Sequence, residues 1–309
     1  MERIIDGVLY EGKIVPDAWD VRIWEANGHR EVSARQQVVF EEVGPAPAHM
    51  LNVADSWAVY IGAADSPQER DIRIAMYHAE REEKDLKNRR RAAQRAKTAC
   101  RRIIKAEGFD ELLTLTYREN QRDRELCKKH FKEWVRRMKR SLGDAFRYCA
   151  SFERQERGSM HVHLATHKLP KMAMYKGVKI KAWELGTKVW RSIVGDNNGL
   201  CFVGGRTKNG GYRRNMSIGK MAAYVSKYIL KDFEDAPLES NRYSRSNGLV
   251  IQKSKLLRFA GVGTVWDVLE LAFECTDGHV IVSHSVDADR GSYWLVTEPD
   301  KGASHATIH

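Results

Sequence analysis

Apolar positions recur along the chain with two different periods, and each change of period marks an element. Between residues 110 and 117, Leu113 and Leu115 alternate with Thr114 and Thr116. That two-residue repeat predicts a strand with one apolar and one hydroxyl face. From Arg122 to Leu142 the spacing lengthens, with Leu126, Phe131, Trp134, Val135 and Met138 falling three or four apart. A helix with one buried stripe is predicted there, stopped by Gly143. Tyr148 to Glu153 and Met160 to Leu164 read as the arms of a hairpin turned at Arg157-Gly158-Ser159. Lys181 to Val194 returns to helical spacing through Trp183, Leu185, Val189, Trp190 and Ile193. Gly199 to Gly204 reads as a short apolar strand, and Ser217 to Lys231 as a further amphipathic helix.

The flanks are less regular. Residues 1–65 mix short alternations (Val8-Leu9-Tyr10, Val38-Val39-Phe40) with turn signals such as Asn27-Gly28, a small β-rich or irregular segment of unknown role. Ser66-Pro67-Gln68-Glu69 has the hydroxyl, proline and acid of a helix start, and helix-compatible sequence follows to about Lys105. Residues 264–275 suggest a short helix, and Val280 to Ser285 and Tyr293 to Thr297 two strands, before a tail from Gly302. Four segments result: 1–65, a basic helix over 66–108, a core over 109–260, and an α/β segment with a tail over 261–309. The fold class expected is α+β, a central antiparallel sheet flanked by helices, with a basic helical N-terminal extension.

Charge sharpens this picture. The net charge is +11 and the sequence pI about 9.4, so the surface attracts polyanions, of which nucleic acid is the commonest. The excess is concentrated. Eleven bases, among them Arg89, Arg90 and Arg91, face only Glu82, Glu83 and Asp85 between residues 81 and 105. Phosphate contacts are expected there, giving affinity and salt dependence without reading sequence. A second basic loop, Gly210-Gly211-Tyr212-Arg213-Arg214-Asn215, directly precedes the Ser217 helix, and Arg213 and Arg214 are further candidates for nucleic-acid contact. With 42% apolar residues and eight tryptophans, the chain has enough to build a core. Five cysteines without C-x-x-C spacing argue against a disulfide framework or zinc knuckle and fit a reducing compartment. No signal peptide, membrane span or G-x-x-x-x-G-K-[ST] loop is visible, so no membrane partner and no NTPase of its own is expected.

The chemistry is concentrated in Met160-His161-Val162-His163-Leu164. In a strand His161 and His163 point to one side while Val162 points into the core. Imidazoles about 7 Å apart along one face can both reach a single cation. Hairpin register decides the third ligand. A three- or five-residue loop puts Glu153 on the histidine face, opposite His163, with Gln155 opposite His161; a two-residue loop puts Arg154 there, beside the cation. The expected carboxylate is Glu153, with Glu156 three residues on as the alternative. His167, on the same parity, is a second-rank ligand.

A His-x-His pair alone is a common chance arrangement, but a second motif follows it. In Ala223-Tyr224-Val225-Ser226-Lys227-Tyr228-Ile229-Leu230-Lys231 the tyrosines are four apart, on one helix face, with Lys227 beside both. Leu112-Leu113-Thr114-Leu115-Thr116-Tyr117 precedes both. In this order the three motifs resemble the rolling-circle replication initiators of the HUH endonuclease superfamily, in the paired-tyrosine form found in single-stranded DNA phages. The resemblance covers roughly residues 109–250.

It implies a site-specific DNA endonuclease with strand-joining activity. Tyr224 and Tyr228 would be alternating nucleophiles that form a 5′-phosphotyrosine link, with Lys227 assisting the phenolate. His161, His163 and Glu153 would hold Mg²⁺ or Mn²⁺. The implied partners are single-stranded or hairpin origin DNA and a host helicase and DNA polymerase, in the cytoplasm of a bacterial host. A transposase or relaxase of the same superfamily is the alternative within enzymology. A catalytically silent basic nucleic-acid-binding protein is the alternative outside it.

Overall fold

The computed structural model describes residues 2–47, 53–206, 212–213, 216–231, 241–261, 264–274, 276, 278–287 and 291–300. In chain order the strands are β1 (Glu2–Ile5), β2 (Val8–Ala26), β3 (His29–Pro45), β4 (Glu111–Tyr117), β5 (Tyr148–Arg154), β6 (Met160–Thr166), β7 (Met172–Tyr175) and β8 (Val178–Lys181). They continue as β9 (Gly199–Val203), β10 (Gly205–Arg206), β11 (Tyr212–Arg213), β12 (Tyr243–Arg245), β13 (Lys255–Ala260), β14 (His279–Asp287) and β15 (Ser292–Pro299). The helices among the described residues are α1 (Val53–Gly62), α2 (Pro67–Glu107), α3 (Arg124–Leu142), α4 (Ala182–Val194), α5 (Ile218–Lys231) and α6 (Val265–Glu274). The chain is α+β, and its sheets are antiparallel. No helix among the described residues is long and apolar enough to cross a membrane.

Two compact units are present, one of residues 1–86 with 252–309 and one of residues 87–251. In the first, β1-β2-β3-β15-β14 form a sheet, and β13 pairs with β2. The long β2–β3 hairpin turns at Asn27-Gly28, both with positive φ (47° and 71°). Only glycine and asparagine adopt that pair of angles readily, which is why this dipeptide makes tight hairpins. The sequence pattern suggested only short or irregular structure here, because β2 carries charges and mostly exposed residues over its first half and so shows little alternation. Its apolar end packs with α6, bringing Trp19, Val21, Val32 and Leu295 together with Val268 and Leu269.

The second unit is built on a five-stranded sheet of order β12-β5-β6-β4-β9. One face is apolar along its whole length. Leu113, Leu115, Phe152, Val162 and Leu164 meet Phe131, Trp134 and Met138 of α3 and Leu185 and Val189 of α4. Helix α3 starts where the Asp123 carboxylate accepts from the N–H groups of Glu125 and Leu126, and ends at Gly143. Gly186 lets α4 approach closely. A Cβ there would stand 2.7 Å from Cys201 Sγ, and the Gly186 carbonyl accepts from Trp134 Nε1 at 3.0 Å.

The other face changes character along the strands. At one end Cys149, Ala165 and Leu112 lie side by side under Cys100, Ile103 and Ile104 of α2 and Met221, Val225 and Ile229 of α5. Two residues further along each strand the same face turns polar, and there a cavity opens beside α5.

Candidate active site

That polar part is organised in rows across the sheet. One row runs Tyr243, Ser151, His163, Thr114, Phe202 from β12 through β5, β6 and β4 to β9. The next runs Glu153, His161, Thr116, Leu200. Because strand side chains alternate, all of these residues project to one side, while Val162 and Phe152 project into the apolar core.

Glu153 is therefore on the histidine face, but its partner differs from the sequence expectation. The loop between β5 and β6 has five residues, which pairs Glu153 with His161 and Ser151 with His163. Gly158, at φ 86°, closes this loop: its N–H donates to the Gln155 carbonyl at 2.7 Å, and Gln155 N–H donates to Ser159 O at 2.9 Å. The turn thus starts two residues earlier than the sequence suggested. Parity is unchanged, so the same carboxylate reaches the site. Glu156 is exposed on the turn, away from the cluster. His167 lies beyond the end of β6 and packs edge-on against Phe109, 4.9 Å between ring centroids.

Ligand atoms of Glu153, His161 and His163 all lie within 4.8 Å of one another, and all three residues are buried. His163 Nε2 is 2.8 Å from Glu153 Oε2, and His163 Nδ1 is 3.2 Å from Thr114 Oγ1. A hydroxyl can donate or accept, so Thr114 fits either imidazole tautomer, including the one that frees Nε2 as a ligand. His161 Nε2 is buried without a hydrogen-bond partner, a costly state for a polar nitrogen that a cation would relieve. Burial holds both imidazoles below their ordinary range, with His161 pushed down to about 4 and the neighbouring His163 adding to the effect. For Glu153, burial works toward protonation, but hydrogen bonds from His163 and Lys231 outweigh it and hold the carboxylate low. Neutral imidazoles and an ionised carboxylate are the forms that bind a metal. The cluster can hold a divalent cation.

Helix α5 lies directly over these ligands. Its apolar side is fixed by Val225 and Ile229, and Ser151 Oγ donates to the Val225 carbonyl at 2.6 Å. Tyr228 stacks on the His163 ring, 4.2 Å between centroids at 12°, and Tyr224 meets the same ring edge-on at 5.4 Å. Lys227 Nζ sits 4.5 Å from the Tyr224 ring centroid and 4.7 Å from that of Tyr228, favourable places for an ammonium. Burial raises the Tyr228 phenol well above its ordinary pKa, helped by a hydrogen bond with Tyr224. Lys231, one turn on, donates to Glu153 Oε1 at 2.8 Å.

Residues 110–233 match the family model for replication-associated proteins of the ORF2 type. The matched stretch contains the triad, both tyrosines, Lys227 and Lys231. The match supports a replication-initiator role. Neither the curated proteins nor the solved structures include a match to this chain.

The structure thus brings together Glu153, His161, His163, Tyr224, Lys227 and Tyr228. The basic candidates are elsewhere: Arg90 and Arg91 are exposed on α2 and Arg89 is half-buried. The Arg213 side chain and Arg214 lie outside the described residues. Sequence reading missed Ser151, Thr114 and Lys231. A signal for Lys231 was present, since Tyr224-Val225-Ser226-Lys227 is followed at once by Tyr228-Ile229-Leu230-Lys231, each tyrosine with a lysine three residues on.

Proposed function

We propose that this protein is a rolling-circle replication initiator that nicks one DNA strand with a tyrosine and later rejoins it. The observation that carries the reading is the seating of two tyrosines on a ring of the Glu153–His161–His163 cluster, within the segment similar to replication-associated proteins. In the reaction, a phenol oxygen forms a bond to phosphorus as the bond from phosphorus to the 3′ oxygen breaks. The phenol loses one proton and the departing 3′-hydroxyl gains one, while the 5′ side stays covalently attached to the protein.

Mg²⁺ or Mn²⁺ held by His161, His163 and Glu153 would polarise the phosphate and offset its charge in the transition state. The protein's own residues supply the rest. Burial keeps Tyr228 protonated in the resting state, so the ammonium of Lys227 is needed to favour the phenolate as it forms. Ser151 and the apolar anchor of α5 hold the tyrosines over the ligands, which keeps the nucleophile close to its target. Lys231 balances the charge of Glu153.

The test is incubation of the protein with labelled single-stranded DNA and Mn²⁺. A covalent adduct that survives denaturation is expected, and mapping it by mass spectrometry should find α5. DNA that binds but never becomes attached would favour the silent nucleic-acid-binding reading instead.

The basic face of α2 is assigned to phosphate contact within this reading. Changing Arg90 and Arg91 to glutamine should weaken binding to all sequences alike and flatten the dependence of log K on log salt by about 0.7–0.9 per lost contact. Unchanged affinity and slope would return these arginines to ordinary solvent exposure.

A further inference from the structure

The cavity at the triad is larger than an ion and one phosphate require. It has a volume of about 550 Å³ and continues from Glu153, His161 and His163 over Thr114 and Thr116 to Phe202 and Gly204. That volume lies in the range of sites for whole small ligands. Its two ends differ in chemistry. The triad and tyrosine end suits a phosphate; the far end offers the half-exposed ring of Phe202.

Phe202 stands in the same row as His163, separated from it by Thr114 alone. Adjacent strands are about 4.8 Å apart, so the two positions are about 10 Å apart across the sheet. Leu200, 41% exposed, stands next to it on the same face opposite Thr116. Strand β9 is the last in this sheet, so the pair forms an apolar step at the sheet margin. A single exposed apolar side chain is ordinary. An aromatic ring sharing a cavity with a phosphate-sized polar end, in a chain of net charge +11, is a different arrangement.

We infer that Phe202, flanked by Leu200, is a stacking platform for a base of single-stranded DNA next to the phosphate seated at the triad. The inference rests on the reading of the triad as that phosphate's seat. A base is joined to its phosphate through one sugar, so a phosphate at one end of the cavity brings a neighbouring base to the other. Phenylalanine has no hydrogen-bonding group, so the platform accepts any base face and does not read sequence. Thr114 and Thr116, between the two ends, present hydroxyls along the path of the sugar-phosphate chain.

The test uses full-length protein with both Tyr224 and Tyr228 changed to phenylalanine, in chelator, so that binding is read without cleavage. The probe is a short oligothymidylate carrying 5-iodouracil, which photocrosslinks to an aromatic ring stacked upon it. The crosslink should map to Phe202. Phe202→Leu, which keeps an apolar side chain at this half-exposed site, should lose the crosslink and weaken binding roughly 5- to 150-fold. Its salt slope should be unchanged, because no phosphate contact is lost. Phe202→Trp should restore both crosslink and affinity. Wild-type affinity in Phe202→Leu, or a crosslink mapping only elsewhere, overturns the platform. Nicking is scored separately on the unmodified tyrosines: a crosslink at Phe202 without nicking overturns the nuclease reading and leaves the platform, and nicking without the crosslink does the reverse.

Discussion

Changing His161 or His163 to alanine is expected to lower nicking by about 10³-fold or more while leaving affinity for single-stranded DNA nearly intact. The two effects separate because they rest on different parts of the molecule. Affinity comes from dispersed lysines and arginines on the surface, away from the histidine rings. Nicking depends on three ligand atoms within 4.8 Å of one another, and two ligands do not hold an ion as three do. His161→Ala is the cleaner variant, because its Nε2 has no hydrogen-bond partner to lose. His163→Ala also removes the ring on which Tyr228 stacks and the partner of Thr114, so it disturbs the nucleophile as well. Glu153→Ala should behave like the histidine variants and Glu156→Ala like the wild type. Binding of Mn²⁺, followed by calorimetry or electron paramagnetic resonance, should fall in parallel with nicking. Undiminished cleavage in His161→Ala, or in excess chelator, would sink the assignment of the triad.

The parts of this site that were legible in the sequence depend on parity and short helical spacing. Both survive errors of register. Alternation alone puts His161, His163, Thr114 and Thr116 on one face, and the spacing of Tyr224, Lys227 and Tyr228 puts them on one helix surface. Glu153 was identified on the same ground: moving the turn by two residues changed its partner from His163 to His161 but not its side of the sheet. What was not legible depends on the packing of one element on another. Ser151 looks like any strand serine until α5 is laid over it and its hydroxyl finds the Val225 carbonyl. Lys231 reads as a basic helix end until the helix direction brings it to Glu153. In the other unit the hairpin turn at Asn27-Gly28 was visible, but the length of β2 and β3 was not. Charged residues interrupt the alternation there, and cross-strand pairing sustains the strands where the pattern fails.

The tyrosines are expected to share the nucleophile's role. Tyr224→Phe and Tyr228→Phe should each retain some nicking, and the double variant should retain none. Phenylalanine keeps the ring, so the stack on His163 and the edge contacts within the pair survive and the helix stays anchored by Val225 and Ile229. Only the attacking oxygen is removed. The two sites are not equivalent, however. Tyr228 is buried and its phenol is held protonated by that burial and by its hydrogen bond with Tyr224, whereas Tyr224 is only half-buried. The first cleavage is therefore expected mainly from Tyr224, and Tyr224→Phe should be the slower of the two single variants. Removing the Tyr224 hydroxyl also removes one of the influences that raise the Tyr228 phenol, which partly compensates the loss. Lys227 lies at almost the same distance from both rings, so it can serve either phenolate, and Lys227→Met should slow both single variants. Mass spectrometry of the trapped adduct should find DNA on Tyr224 predominantly and on Tyr228 in a minority of molecules. If one single variant is wholly inactive and the adduct maps to that residue alone, the second tyrosine is a packing residue and one hydroxyl does all the chemistry.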